Sequence, residues 1–125
     1  GQFESIIYNL NLYNGAHAYV TVYEGEYLKL EGGFMYPIEN APSVIPEDGV
    51  YKDGMYKVGQ DLPAGEYKVL LSEDAMFDSG YLEVTTDSRH DFSNIVTNDF
   101  VKTSTYITVS EGQYLKLEGL FIDTN

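Results

Sequence analysis

The chain has 125 residues, twelve of them tyrosine, no cysteine or tryptophan, and a formal charge of −13. That length suits one domain, or one domain plus a fragment, and allows a sound core. The missing cysteines exclude disulfides, thiolate metal sites and cysteine nucleophiles, and the acidic balance argues against nucleic acid and anionic membrane surfaces, whose charges would repel it.

In chain order, "ESIIYN" (4–9) has strand character. "AYVTVY" (18–23) then alternates, with Val20 and Val22 on one face and Tyr19, Thr21 and Tyr23 on the other. "EYLKLE" (26–31) does the same, with Leu28 and Leu30 opposed to Tyr27, Lys29 and Glu31. A period of two in β-branched and aromatic residues is the mark of strands. Gly25 between them supplies the positive φ of a tight turn, so a hairpin is expected over 19–31. Residues 37–53 hold three of the four prolines and read as an extended linker. Further strands are expected at 54–59, 66–71, 80–86 and 93–98, then a second hairpin over 106–118 around Gly112. No window carries a helical stripe, and no apolar run reaches the about 18 residues that span a bilayer. The fold class expected is all-β: an antiparallel, jelly-roll-like β-sandwich built from hairpins.

"YVTVYEGEYLKLEGGF" (19–34) returns as "YITVSEGQYLKLEGLF" (106–121), 87 residues later. Phe3, Ile6, Ile7 and Asn9 likewise match Phe92, Ile95, Val96 and Asn98, 89 residues apart, so the first copy carries about two extra residues near "LYNGA". The strands at 54–71 and 80–86 have no counterpart before residue 3. Residues 1–36 therefore read as the back half of a first repeat, 37–53 as the linker, and 54–125 as a complete second repeat, with the two parts packed together. A period near 87 is too long for a solenoid turn and indicates tandem β modules. Gly1 reads as a cleavage scar, and no signal peptide precedes Gln2, which would place any targeting segment outside these residues.

"GMYKVGQDLPAGEYKV" (54–69), "GYLEV" (80–84), "NIVTND" (94–99) and "YITVSEGQYLKL" (106–117) resemble a tandem module of uncharacterised secreted proteins and lipoproteins of Gram-positive bacteria. Its pattern is Tyr-x-Val-Gly-x-Asp-Ile-Pro-Ala-Gly-x-Tyr. Leu62 stands where isoleucine is usual, and Phe100 where a polar residue is common. The resemblance covers 54–122, and its back half covers 3–34. It implies an extracellular protein anchored to the cell envelope and supplies no catalytic residues.

Candidate chemistry is sparse. Pro63 and Gly65 suit successive turn positions, and Asp61 can close that turn by accepting backbone N–H groups. His17 and His90 are the two histidines, and neither repeat keeps the other's. Ser88, His90 and Asp91 lie within one short stretch, whereas a triad needs partners brought together by the fold. Glycosidase-type carboxylate pairs depend on a separation that sequence does not give. Glu47, Asp48 and Asp53, and Glu73, Asp74 and Asp78, form acidic clusters in which calcium is the weak candidate cofactor, yet neither matches a calcium-loop spacing. Tyr19 and Tyr27 recur as Tyr106 and Tyr114, a recurrence that favours cross-strand or inter-module packing. Ligand contact falls to Tyr23, Tyr19, Tyr106 and Asp61. No catalytic, cofactor or metal residue is expected.

The expected function is a non-catalytic, surface-displayed spacer or recognition and adhesion module. The alternatives are a module that binds carbohydrate or cell wall through exposed tyrosines and, behind it, a glycosidase. Expected partners are wall carbohydrate or another surface protein, with no nucleic acid and no membrane insertion. A homodimer formed through the half repeat is the other arrangement considered.

Overall fold

The computed structural model describes residues 16–73, 75, 78–89 and 92–125. The strand expected at 4–9 lies outside them, as do Asp74, His90 and Asp91. Eight strands follow in order: β1 Val50–Tyr51, β2 Gly54–Lys57, β3 Gly65–Leu71, β4 Gly80–Thr85, β5 Ile95–Val101, β6 Ser104–Val109, β7 Tyr114–Glu118 and β8 Leu120–Asp123. They form two antiparallel four-stranded sheets, sheet I in the order β1-β8-β3-β6 and sheet II in the order β2-β7-β4-β5. That order is the jelly roll, in which every connection but β4–β5 crosses between the two sheets.

The alternation in the sequence puts one face of each strand into the space between the sheets. Sheet I contributes Val69, Ile107, Val109, Leu120 and Ile122, and sheet II contributes Tyr56, Leu82, Val84, Leu115 and Leu117. Val58 and Leu62 plug the core from the β2–β3 connection. Each such side chain contributes about 1.5–3 kcal/mol on full burial, which holds the sheets face to face.

The second expected hairpin is corrected by this topology. β6 pairs with β3 in sheet I, while β7 lies between β2 and β4 in sheet II. Ile107 and Val109 thus meet Leu115 and Leu117 across the core instead of lying beside them. The turn joining the two strands is pinned to a third segment: the Gly112 N–H donates to the Val58 carbonyl at 3.0 Å, and the Val58 N–H to the Gln113 carbonyl at 2.8 Å.

The first copy repeats the turn but not the sheet. Glu26 N–H donates to the Tyr23 carbonyl at 3.0 Å, as Gln113 N–H does to Ser110 at 3.1 Å. The Glu26 and Gln113 side chains each accept from the backbone N–H three residues earlier, at 2.6 and 2.8 Å. Gly25 and Gly112 both take left-handed φ values, 87° and 90°. Lys29–Glu31 and Lys116–Glu118 are both ion pairs of 3.2 Å. Yet residues 16–31 contain no strand, which corrects the hairpin expected there. A strand exists only with a neighbour to exchange hydrogen bonds, and no described segment supplies one. Val20, Val22, Leu28 and Leu30 are accordingly 42–49% exposed, whereas Ile107, Val109, Leu115 and Leu117 are 0–7% exposed.

The stretch read as a linker has a short 3-10 turn, Ile38–Asn40, and a second turn at 47–49, and it contains β1. Two residues are too few to show a period, so β1 has no mark in the sequence. It is held by β8, opposite Asp123 and Ile122.

Candidate functional site

The polar and aromatic groups singled out in the sequence converge where residues 17–26 cross the outer end of sheet II. The crossing begins at the edge strand β2, where Met55 N–H donates to the His17 carbonyl at 3.0 Å. The His17 ring meets Tyr56 edge-on at 4.8 Å. Gly54 is required here by close approach, because a Cβ at that position would lie 2.4 Å from His17 Cε1. Burial lowers the His17 pKa below its ordinary 6.5, and its Nε2 is buried without a hydrogen-bond partner.

Two residues on, Tyr19 packs against Tyr114 of β7 with ring centroids 5.4 Å apart. Its hydroxyl donates to the Asp61 carboxylate. Burial first, and that hydrogen bond second, push the Tyr19 pKa well above the ordinary tyrosine value. Asp61 is itself buried and also accepts the Lys57 N–H at 2.9 Å. Its carbonyl accepts the Tyr51 hydroxyl at 2.5 Å. Asp61 therefore closes the turn between β2 and β3 and, with the same carboxylate, holds the incoming segment.

The crossing ends at the loop after β4. Thr21 N–H donates to the Ser88 carbonyl at 3.1 Å, and the two side-chain hydroxyls share a hydrogen bond. Arg89 then clasps Glu26 with both terminal nitrogens, at 2.6 and 2.9 Å, and donates to the Thr21 carbonyl at 3.0 Å. The guanidinium also lies over the Tyr23 ring, 4.2 Å from its centroid. The Arg89 hydrogen bond, followed by the Tyr23 N–H, holds the Glu26 carboxyl down at about 2.

Beside Tyr19 a shallow cleft of about 240 Å3 opens, with Gln60 and Asp61 on one wall and Ile38, Pro42 and Ile45 on the other. Of the four ligand-contact candidates, Tyr19 and Asp61 line it. Tyr23 is engaged by Arg89 instead, and Tyr106 lies on β6 of the other sheet, opposite Lys68 and 65% exposed. The structure thus brings two of the four together. Arg89, Glu26 and Ser88 were not legible as a group. The signal available was that Arg89 is the chain's single arginine, set in an acidic sequence where a bidentate carboxylate partner was to be expected.

Two carboxylates of the first acidic cluster act on the backbone. Asp48 accepts the Val50 N–H at 3.0 Å, and Asp53 the Gly119 N–H at 2.8 Å. Among the described residues no group of three or more histidine, aspartate or glutamate side chains is placed to hold a metal ion. A comparison with family models, with curated proteins and with solved structures returns no match.

Proposed function

We propose that the protein is a non-catalytic β module of the cell envelope, displayed outside the cell as a spacer or recognition unit. The observation that carries this reading is how its reactive groups are used. Among the described residues, Asp61, Tyr19, Ser88, Arg89 and Glu26 are each engaged in fastening the N-terminal segment to the jelly roll. The envelope location rests on the resemblance of 54–122 to secreted Gram-positive modules, and the acidic surface suits it.

The carbohydrate reading draws less support. Stacking on sugars needs open ring faces in one groove, whereas the cleft offers Tyr19 with its hydroxyl tied to Asp61, and Tyr23 lies under Arg89. Two experiments test the proposal. Protease added to intact source cells should remove the protein, and survival of the protein until lysis would contradict display. A panel of wall polysaccharides and chromogenic glycosides should give neither saturable binding nor turnover. Turnover abolished by Asp61→Asn would establish the enzyme reading instead.

A further inference from the structure

Residues 17–26 lie on the jelly roll in the manner of a bound extended peptide, engaged at alternate positions. The His17 carbonyl takes the Met55 N–H, Tyr19 meets Tyr114 and Asp61, Thr21 meets Ser88, and the Tyr23 ring lies under Arg89. Val20 and Val22, in between, are 43% and 42% exposed. A peptide held at a sheet is read in this way, with main-chain bonds fixing it and every second side chain selecting it. Beneath the segment lie Asp61 and Ser88, two of the three buried polar side chains among the described residues.

The two copies of the repeated sequence differ where this site grips hardest. Tyr19 and Thr21 recur as Tyr106 and Thr108, but Tyr23 and Glu26 give way to Ser110 and Gln113. Those are the two side chains that Arg89 holds, one by its ring face and the other by two bonds of 2.6 and 2.9 Å. Serine offers no ring and glutamine no charge, so only the first copy answers the guanidinium.

The tether between segment and sandwich adds no bond of its own. Residues 27–43 are all exposed, and among the described residues no hydrogen bond or ion pair ties them to residues 50–125. At 3.3 Å per residue they reach about 55 Å. A sandwich of about 75 residues has a radius of gyration of only about 11 Å. Docking on a neighbouring copy therefore keeps every contact of docking at home and changes only the entropy of the tether. We propose that the outer end of sheet II is a recognition site for the pattern Tyr-x-Thr-x-Tyr-x-x-Glu and takes this segment, residues 17–26, from a second copy of the chain, so that crowded copies link by exchanging it. Exchange overtakes docking at home once the local concentration of copies reaches the one set by the tether, on the order of 1 mM. Such linking requires crowding alone and is independent of where the module is displayed.

Charge exchange separates the two modes. Full chains carrying Glu26→Arg or Arg89→Glu each set like charges face to face, both at home and between identical copies. When the two are mixed in equal amounts, the segment of the Arg89→Glu chain meets the native Arg89 of the other, and the second site receives the same pair reversed. The mixture should sediment as a heterodimer, with Thr21 amide exchange slowed roughly 10-fold or more relative to either variant alone. The chain has no cysteine, so a thiol pair gives an independent measurement. Thr21→Cys chains mixed with Ser88→Cys chains under a mild oxidant should yield the covalent heterodimer roughly 10-fold or more faster than with Lys68→Cys chains, whose thiol sits exposed on β3 of sheet I. Two monomers with Thr21 exchanging as in the separate variants, and no preference for Ser88→Cys over Lys68→Cys, would overturn the proposal, because the segment would then dock only at home.

Discussion

Arg89 gathers three residues of the docked segment at one point: its guanidinium takes the Glu26 carboxylate with two bonds, the Thr21 carbonyl with a third, and the Tyr23 ring with its flat face. A lysine offers a single point charge in place of the planar fork, so Arg89→Lys should behave nearly as badly as Arg89→Ala. Both should lower the melting temperature by a few degrees and release the Thr21 amide to fast exchange, with the sandwich still folded. Acid should undo the docking of residues 17–26 in two stages, one at each end of the crossing. His17 has a folded pKa below its unfolded 6.5, so its contribution is complete above 6.5 and fades as pH falls through the lowered value. Glu26 is held at about 2 against an ordinary 4.5, so its contribution is complete above 4.5 and is lost as pH falls toward 2. Following the Thr21 and Met55 amides by NMR between pH 7 and 2 should show both stages. His17→Phe, which keeps a ring against Tyr56 but cannot charge, should remove the first, and Arg89→Ala the second. A single transition unaffected by either substitution would count against these assignments.

At the scale of the strand, the same five letters "YLKLE" and their flanks meet two fates, which makes the repeat a controlled comparison. Leu115 is fully buried in β7 and Leu28, its equivalent, is 47% exposed. Leu115→Ala should therefore cost about 2–5 kcal/mol, the range for emptying a core position. Leu28→Ala should stay within about 0.5 kcal/mol, as surface substitutions do. Urea denaturation of the two variants measures the difference, and equal losses would mean that the first copy is covered after all. The strands β2 to β7 were legible because Val, Leu, Ile and Tyr alternate with polar residues along them. What period two does not encode is the partner. The alternation of 106–109 and 114–118 reads the same whether the two strands lie side by side or face each other across a core, and only β3, β2 and β4 decide it. β8 escaped notice because "LFID" is short and continuous with the strand before it, broken by Gly119 alone. The docking site was half legible: Asp61 announced itself through its turn, but Ser88 and Arg89 lie 62–63 positions from Glu26 in sequence and meet it only through the fold.

Among the described residues, the buried core of the jelly roll runs from Tyr51 to Ile122, and residues 17–26 are fastened to one end by polar contacts and aromatic packing. Removing residues 1–36 should leave a cooperatively folding sandwich with a melting temperature a few degrees lower, because Met55, Asp61 and Ser88 lose their partners while the core cluster from Tyr51 to Ile122 is retained. A chain that unfolds on this truncation would show that the segment belongs to the core. EDTA should leave the melting curve of the full chain unchanged, since Asp48 and Asp53 are spent on backbone N–H groups; a fall of several degrees would reveal a structural cation. The central claim is that one sequence, twice written, forms two strands facing each other across the sandwich core in one copy and an externally docked segment in the other. Residue-resolved amide exchange on the full chain at neutral pH tests it most directly. The Leu115 and Leu117 amides, in the centre of sheet II, should exchange only with global unfolding, those of Leu28 and Leu30 several orders of magnitude faster, and Thr21 and Met55 together at an intermediate rate set by undocking. Equal protection of Leu28, Leu30, Leu115 and Leu117 would contradict it.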